Sequence, residues 1–374
     1  MNIIAIIIFI CLLNFPVFSQ ILNNTNFINS MDSVVQNTVQ DFMKDSTHIG
    51  LSLGIYLNGN TYTYNYGTTI RNNKIQPTDN TIYEIGSISK TITGLLLAQA
   101  VIDKKVNIDD DIRSYLKEDY PNLQYNGHPI KLFQLLNHSS GLPFNMWQRP
   151  EDSYNIIDDS VSYILNEIEK DYSKKEFLSD LHKVKIDTIP GIKLSYSNSA
   201  AQLLSYILEN IYHMNFEDLI IKYISNPLGM RNTKLTYSQI EHNNFAFGYD
   251  RNGKQMPSNY SGAAGGISST ISDMLKYIKY QLNEDDPKVK LSHKTTWGDI
   301  KYYAMGLNWQ MDYKANGELR IFQSGGTAGF SCYLAIYPKF NSGIVIFTNE
   351  LDENSQGAIS NIAEKIFGIA IYRK

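Results

Sequence analysis

Ser87 and Lys90 are the residues of this chain whose types and spacing point most directly to chemistry. Gly86 precedes them, and residues 91–102 follow as an uncharged run that is apolar around most of a helix. Such a helix is buried, and residues three apart lie on the same side of it. A hydroxyl near an amine at the positive end of a helix has what a serine nucleophile needs. The alternative is structural, with Ser87 capping the helix and Lys90 extending towards solvent.

Tyr196 and Asn198 belong to a second motif, Tyr-Ser-Asn at residues 196–198. A Pro-Gly turn at residues 190–191 precedes the motif, and an apolar helix is predicted from Ala200. A tyrosine acts as a base only when cations lower its pKa from about 10. Tyr196 is therefore either such a base or a side chain that packs its loop.

A third motif is the glycine-rich segment QSGGTAGF at residues 323–330, which joins a predicted strand at 319–322 to one at 331–337. Gly325 and Gly326 would let a substrate lie close to the backbone, with N–H groups facing it as in an oxyanion hole. No Lys-Ser or Lys-Thr pair follows the glycines, which disfavours a phosphate-binding loop. The alternative is a glycine-rich hairpin without a ligand.

Six segments, taken together, resemble the penicillin-recognising serine hydrolases, nearest the class C β-lactamase and D-alanyl-D-alanine carboxypeptidase branch. In chain order they are GSISK at 86–90, LLNHSSGLP at 135–143, YSN at 196–198, PLGMRNT at 227–233, GGISST at 265–270 and GGTAGF at 325–330. Each segment is weak evidence singly, but their order is specific and they cover almost the whole mature chain. His138, in the second segment, is expected to brace the cleft and not to catalyse.

The resemblance implies acyl transfer in two steps. Ser87 would attack a carbonyl and form an acyl-enzyme, and water would then release the acid. Lys90 and Tyr196 would share the proton of Ser87, with Tyr196 favoured as the base for deacylation. Asn198 would orient Lys90 and bind the substrate amide, while the N–H groups of Ser87 and Gly326 would bind the oxyanion. No cofactor is implied.

Gln323 departs from the family pattern, which usually has Lys or His at this position. With Ser324, Gly325 and Gly326 it forms the substrate-binding strand that the resemblance implies. A glutamine donates hydrogen bonds but carries no positive charge. A substrate carboxylate therefore loses a charge-assisted hydrogen bond, about 1.5–3 kcal/mol instead of about 1 kcal/mol. We expect a weak β-lactamase at best, and substrates without that carboxylate become more plausible.

Hydrophobic periodicity predicts the elements that must position these residues. Strands are predicted near both chain ends and helices between them, which indicates an antiparallel sheet assembled from both ends, flanked by helices, with a helical lobe at about 105–245. This α/β (α+β) arrangement agrees with the β-lactamase/transpeptidase-like fold. The predicted strands are 51–57, 61–66, 306–309, 319–322, 331–337 and 343–348, and the predicted helices are 31–47, 88–103, 160–170, 200–212, 216–224, 273–282 and 353–367.

Composition excludes some classes of function. The chain has 374 residues, 43% hydrophobic and 19% charged, an ordinary balance for a globular protein. A formal net charge of −4 supplies no basic field for a nucleic acid. The seven histidines show no metal-ligand spacing, so no metal is expected.

Residues 1–19 are predicted to be a secretory signal, because a short apolar run ends at Pro16 and a small-residue cleavage site precedes Gln20. The mature chain, 20–374, would be one β-lactamase-like domain, secreted or periplasmic. An uncleaved signal anchor is the alternative and would tether it to the membrane. After cleavage Cys332 is the remaining cysteine, so no internal disulfide can form.

Three functions remain open from the sequence. The first is hydrolysis of amide bonds in D-alanyl cell-wall peptides or β-lactams. The second is an esterase of the same fold, in which Phe144, Met146 and Trp147 line an apolar cleft instead of packing on the helical lobe. The third is a binding protein without catalysis, which an eroded site would signal, although Ser87 and Lys90 are intact.

Overall fold

The computed structural model describes residues 31–45, 47–147, 160–351 and 354–370. Two compact units make up the chain: Thr47–Ile359, and Met1–Ser46 together with Ser360–Lys374. In the smaller unit residues 31–42 are helical and are called α1. The predicted signal segment at 1–19 lies outside the described residues, and the limits of the mature domain stay a prediction.

The larger unit is built on an antiparallel sheet of eight strands in the order β2-β1-β13-β12-β11-β10-β9-β8. Its strands come from both ends of the chain, as predicted. The strands are β1 (Gly50–Leu57), β2 (Asn60–Gly67), β3 (Tyr83–Glu84), β4 (Gln124–Tyr125), β5 (His128–Pro129), β6 (Tyr249–Asp250), β7 (Ser268–Ser269), β8 (Trp297–Asp299), β9 (Tyr303–Met305), β10 (Gln310–Tyr313), β11 (Leu319–Gly326), β12 (Ser331–Tyr337), β13 (Ser342–Thr348) and β14 (Glu350–Leu351).

Helices fill the sequence between the terminal strands and follow the last of them. They are α2 (Ser89–Ile102), α3 (Ser160–Asp171), α4 (Lys174–Leu181), α5 (Asn198–Tyr212), α6 (Phe216–Ile220), α7 (Asn226–Leu228), α8 (Gly262–Gly265), α9 (Ile271–Gln281), α10 (Pro287–Ser292) and α11 (Ser355–Ala370). Within the described ranges, no helix is long and apolar enough to cross a membrane. The antiparallel sheet from both chain ends, flanked by helices, is the arrangement predicted from the sequence.

The predicted hairpin of β1 and β2 is confirmed. Asn58 and Gly59 connect the strands with φ angles of 49° and 91°. A two-residue turn with both φ values positive matches the twist of the flanking strands, and Asn-Gly adopts it readily. All eight residues of β1 are buried, because β2 and β13 cover its two edges and helices cover a face.

Helix α9 packs on the sheet through two positions that lack a side chain. A Cβ at Gly54 of β1 would lie 2.8 Å from Ile271, and a Cβ at Gly343 of β13 would lie 2.6 Å from Ile278. Ile271 and Ile278 are seven residues apart, two helical turns on one face. The helix therefore approaches the strands more closely than any larger residue would allow.

Helix α2 is buried almost throughout, as its uncharged sequence predicts. It packs against α5, α8 and α10. At its centre Gly94 faces the turn before β10, where an added Cβ would lie 2.5 Å from the carbonyl oxygen of Leu307. The helix that presents Ser87 and Lys90 is thus fixed by backbone contact as well as by apolar burial.

Two sequence predictions were wrong. Residues 306–309 form no strand: they are a turn between β9 and β10, in which the Gly306 N–H donates to the Trp309 carbonyl at 2.8 Å. Trp309 is fully buried, so the apolar pattern reflects the burial of side chains and not an extended backbone. The glycine-rich segment is not wholly a connection either, since β11 continues through Gly326 and pairs with β12.

We expect Gly94→Ala to lower the free energy of unfolding by about 1–3 kcal/mol, because the new methyl group overlaps the Leu307 carbonyl. The same change at an unhindered helical glycine is stabilising. Gly357→Ala in α11 meets nothing within 4 Å and should raise the free energy of unfolding by up to about 1 kcal/mol. Urea denaturation of the two variants checks this, and equal signs would contradict the close packing of α2.

Candidate active site

Ser87 lies in a single 3-10 turn, Gly86–Ile88, immediately before α2. Gly86 has a φ of +51°, a conformation that other residues rarely adopt. The residue before α2 is Ile88 and no side chain caps the helix. Ser87 is therefore not a helix cap, and its side chain is available to neighbours in the cleft.

Lys90 lies in the first turn of α2 and is completely buried. Its Nζ donates to Ser87 Oγ at 2.9 Å, to Tyr196 Oη at 2.7 Å and to the Ala264 carbonyl at 2.5 Å. Burial lowers the pKa of Lys90 to about 7, and the nearby Glu169 carboxylate opposes that shift. Near neutral pH a large share of Lys90 is therefore uncharged and able to accept a proton.

Tyr196 completes a triangle with these two side chains. Its hydroxyl is 2.5 Å from Ser87 Oγ, and the Lys90 Nζ lies 4.8 Å from the centre of its ring. Burial raises the pKa of Tyr196 to about 12, although the hydrogen bond with Ser87 opposes the rise. The ground state is thus a neutral phenol beside an amine, so Lys90 is the better proton acceptor and Tyr196 a relay.

The loop that carries Tyr196 is held by His138. The His138 ring contacts the Tyr196 ring in a tilted arrangement with centroids 4.2 Å apart, and the His138 backbone carbonyl accepts from the Ser195 N–H at 2.7 Å. Burial, and then the charge of Lys90, lowers the pKa of His138 to about 3. A histidine that stays neutral and supports a loop agrees with the bracing role expected from the sequence.

Asn198 begins α5, and the structure differs from the prediction on what it contacts. Its side-chain amide donates to Asn145 Oδ1 at 3.1 Å, whereas Lys90 is oriented by the Ala264 carbonyl. Ser197, one residue earlier, caps the helix by accepting from the Ala200 N–H at 3.0 Å. Asn198 is thereby fixed beside Asn145, and both side chains line the same pocket.

Strand β11 brings the glycines against the nucleophile. A Cβ at Gly86 would lie 2.5 Å from the Gly326 nitrogen, and a Cβ at Gly325 would lie 3.2 Å from the Ser87 nitrogen. The Thr327 N–H donates to the Phe330 carbonyl, so alternation along the β11–β12 ladder turns the Gly326 N–H away from β12. The N–H groups of Ser87 and Gly326 therefore lie near each other, as an oxyanion hole requires.

Gln323 lies on the same face of β11 as Gly325, is 2% exposed and is fully engaged. Its amide donates to the Asn308 carbonyl at 2.9 Å, and its oxygen accepts from Gln310 at 2.7 Å and from the Ser324 N–H at 3.1 Å. Gln310 thus donates to the side-chain oxygen of Gln323, an acceptor that a lysine or histidine at position 323 would not have. The strand presents neutral hydrogen-bonding groups where the family pattern has a basic side chain.

The loop after Pro143 divides between the two sequence alternatives, since Met146 is buried in the core whereas Phe144 is exposed. Met146 and Trp147 line a pocket beside Asn198, and Phe144 is 58% exposed with its ring centre 5.9 Å from that of Tyr196. Exposed aromatic surface therefore lies beside the Tyr196 ring.

Three functional contacts were missed by sequence reasoning. The Ala264 carbonyl orients Lys90, Asn145 holds Asn198, and Glu169 lies in the pocket beside them. Asn145 lies between Phe144 and Met146, which the sequence already suggested as cleft residues, so its place in the site could have been predicted. A backbone carbonyl leaves no mark in a sequence, and Glu169 on a helix rich in charges resembles a solvated residue.

In the part of the chain that the structure describes, no group of three or more His, Cys, Asp or Glu side chains is placed to hold a metal ion. All the contacts of the Ser87 triangle described above are made by side chains and backbone of this chain.

A model of the Beta-lactamase family matches residues 35–367. That is most of the sequence, so the chain belongs to the Beta-lactamase family. The enzyme is a serine hydrolase of that family, and the intact Ser87 triangle agrees with this assignment.

Several curated proteins are similar along most of the chain. The Beta-lactamase of Pseudomonas fluorescens is 26% identical over 365 residues, which cover 86% of this chain and 94% of that protein. The Beta-lactamase of Lysobacter lactamgenus is 25% identical, with 91% and 92% covered. Protein flp of Staphylococcus aureus strain MRSA252 is 26% identical over 85% of this chain, and the match spans 62% of flp.

Solved structures share the fold. The Beta-Lactamase/D-Alanine Carboxypeptidase from Pseudomonas syringae superimposes with a TM-score of 0.75 at 19% identity, covering 91% of this chain and 99% of that one. A class C beta-lactamase gives a TM-score of 0.75 at 23% identity, covering 90% and 96%. At these identities the likeness concerns the fold alone.

We expect the reactivity of Ser87 to rise with pH through about 7, because neutral Lys90 must accept its proton. The measurement is the rate of Ser87 labelling by a fluorophosphonate between about pH 5 and pH 9. Lys90→Arg stays charged and should lose both the rise and a factor of roughly 10²–10⁴ in rate. A wild-type rate independent of pH would contradict a lysine that titrates near neutrality.

Proposed function

We propose that this protein is an exported serine hydrolase that cleaves amide bonds of D-alanyl cell-wall peptides or β-lactams through an acyl-enzyme on Ser87. The observation that carries the proposal is the triangle of Ser87, Lys90 and Tyr196, together with the N–H groups of Ser87 and Gly326 beside it. Nucleophile, proton acceptor and oxyanion donors are thereby present within one cleft.

In the first step Ser87 Oγ attacks the carbonyl carbon of the substrate. The proton of Ser87 passes to Lys90, directly or through the Tyr196 hydroxyl, and the carbonyl oxygen becomes an oxyanion bound by the N–H groups of Ser87 and Gly326. The carbon–nitrogen bond then breaks. The leaving nitrogen takes the proton back from the Lys90–Tyr196 pair, and Ser87 is left as an ester.

Water completes the cycle. It attacks the Ser87 ester while Tyr196 and Lys90 accept its proton, and the carboxylic acid product leaves as the proton returns to Ser87 Oγ. Asn198 and Asn145 present side-chain amides that can hydrogen-bond the amide of the acyl portion. The same groups therefore serve both steps.

The substrate class rests on likeness and on the sequence. The curated relatives include proteins named Beta-lactamase, and one solved structure is described as a Beta-Lactamase/D-Alanine Carboxypeptidase. Cell-wall peptides lie outside the cytoplasm, so the proposal requires export. Residues 1–19 supply the apolar run and cleavage pattern for it.

An esterase of the same fold is a second candidate, and two observations favour it. The position of the carboxylate-binding cation is held by neutral Gln323, and exposed Phe144 with Trp147 offers apolar surface beside Tyr196. An ester without a carboxylate would lose nothing from the absence of that cation. The same Ser87 chemistry would then act on a different bond.

Intact-protein mass spectrometry after incubation with a fluorescent penicillin tests the proposal. We expect the wild-type protein to gain the mass of one penicillin and Ser87→Ala to gain none. An absent adduct, with nitrophenyl ester hydrolysis that depends on Ser87, would replace the proposal by the esterase. Absence of both activities in a folded protein would reject hydrolysis by this site.

We expect Gln323→Lys to favour substrates with a free carboxylate. The new ammonium group can donate to the Asn308 carbonyl, and it adds the missing charge beside the cleft. The measurement is kcat/KM for benzylpenicillin relative to its methyl ester, which should rise about tenfold. A ratio that does not change, in a variant with wild-type Tm, would mean that Gln323 does not face the substrate carboxylate.

A further inference from the structure

A pocket lined by residues of α3, α5 and α8 opens next to Ala264, the residue whose carbonyl accepts from Lys90. Its empty volume is about 490 Å³, including space open to solvent, which is within the range of small-molecule sites. Asn145, Trp147, Asn198 and Ala264 are among the residues that line it. Because the Ala264 carbonyl also accepts from Lys90, Ala264 connects the pocket to the reacting groups.

Glu169 places a carboxylate in this pocket. It extends from α3, and its Oε2 accepts from the Ser261 hydroxyl at 2.8 Å. The Trp147 indole N–H donates to it as well. Both donors are neutral, and none of the described residues that line the pocket is a lysine or an arginine.

Glu169 interacts electrostatically with the catalytic Lys90. Glu169 raises the pKa of Lys90, and Lys90 lowers that of Glu169, although burial has the larger effect on each. A partly buried carboxylate whose described donors are neutral is less stable than one paired with a cation, and an ammonium group that entered the pocket would supply that pairing. Lys90 cannot fill this role, since its three hydrogen bonds go to Ser87, Tyr196 and Ala264.

The pocket walls suit a cation in a second way. Trp147 and Tyr260 are among its lining residues, and the faces of aromatic rings attract ammonium groups. At the other end of the cleft the strand offers neutral Gln323. The cleft is therefore acidic on the α3 side and uncharged on the β11 side.

We propose that Glu169 determines specificity by binding a primary ammonium group on the substrate of Ser87. The ligand class is an amine-bearing peptide or acyl compound whose amino group lies close to the scissile carbonyl. The inference rests on the proposed function, because it assigns a feature of the same substrate. Glu169 makes no contact with the reacting atoms, so its effect is on selection.

Two penicillins that differ by one amino group provide the test. Ampicillin carries an α-amino group on its acyl side chain and benzylpenicillin does not. Ser87→Ala cannot form an adduct, so calorimetry on this variant measures binding alone. We expect it to bind ampicillin about tenfold more tightly than benzylpenicillin. Ser87→Ala/Glu169→Gln should bind the two equally, since glutamine still accepts from Ser261 but carries no charge.

Glu167→Gln in the same background is the matched control. Glu167 lies on α3 two residues from Glu169, is 61% exposed at its side chain and pairs with Lys170. It should retain the tenfold preference. Loss of the preference in both variants, or no preference in the parent, would overturn the assignment, as would a preference that survives Glu169→Gln.

Hydrolysis by the otherwise wild-type enzyme separates this inference from the proposed function. D-alanine nitrophenyl ester and its N-acetyl form extend the comparison to a substrate that needs no penicillin recognition. Selection of the free amine through Glu169 on the esters alone would keep the inference while rejecting β-lactams as substrates. Reaction of Ser87 with both penicillins at equal rates would keep the proposed function and reject the role of Glu169. Reaction with neither pair would reject both.

Discussion

The burial of the Lys90 amine is the constraint on which the site depends. A fully buried ammonium group is unfavourable unless hydrogen bonds hold it or it loses its proton, and here both effects operate. Its three acceptors come from the turn before α2, the loop before α5 and the end of α8. The helices must therefore converge at one point, and the sheet must fix Ser87 from the other side.

The local parts of the site could be predicted from the sequence, and the distant parts could not. Ser87 and Lys90 are one helical turn apart, so their proximity follows from helix geometry alone. Tyr196 is more than 100 residues away, and only the order of family-like segments suggested that it joins them. The partners of Asn198 and Lys90 required three-dimensional packing, because amide and carbonyl groups are too common to single out.

The fold divides in the same way. The hairpin of β1 and β2 and the buried strands β12 and β13 carry strong local patterns, and their bounds agree with prediction to within a few residues. The short strands β8, β9 and β10 carry no such pattern, since most of their residues are exposed or only partly buried and turns interrupt them. At residues 306–309 tertiary burial of Trp309 imitated a strand.

The pairing of β1 with β13 also determines at which stage of synthesis the native sheet can form. Leu51 pairs with Thr348, roughly 300 residues later, so β1 emerges from synthesis as an apolar segment with one edge unoccupied. Closure of so long a loop has a large entropic cost, and the native sheet cannot form before β12 and β13 have been synthesised. Gly326 arrives in that late block. A nascent or truncated chain that lacks these strands thus carries the nucleophile without its second oxyanion donor, and hydrolytic activity appears only once β11, β12 and β13 have been made.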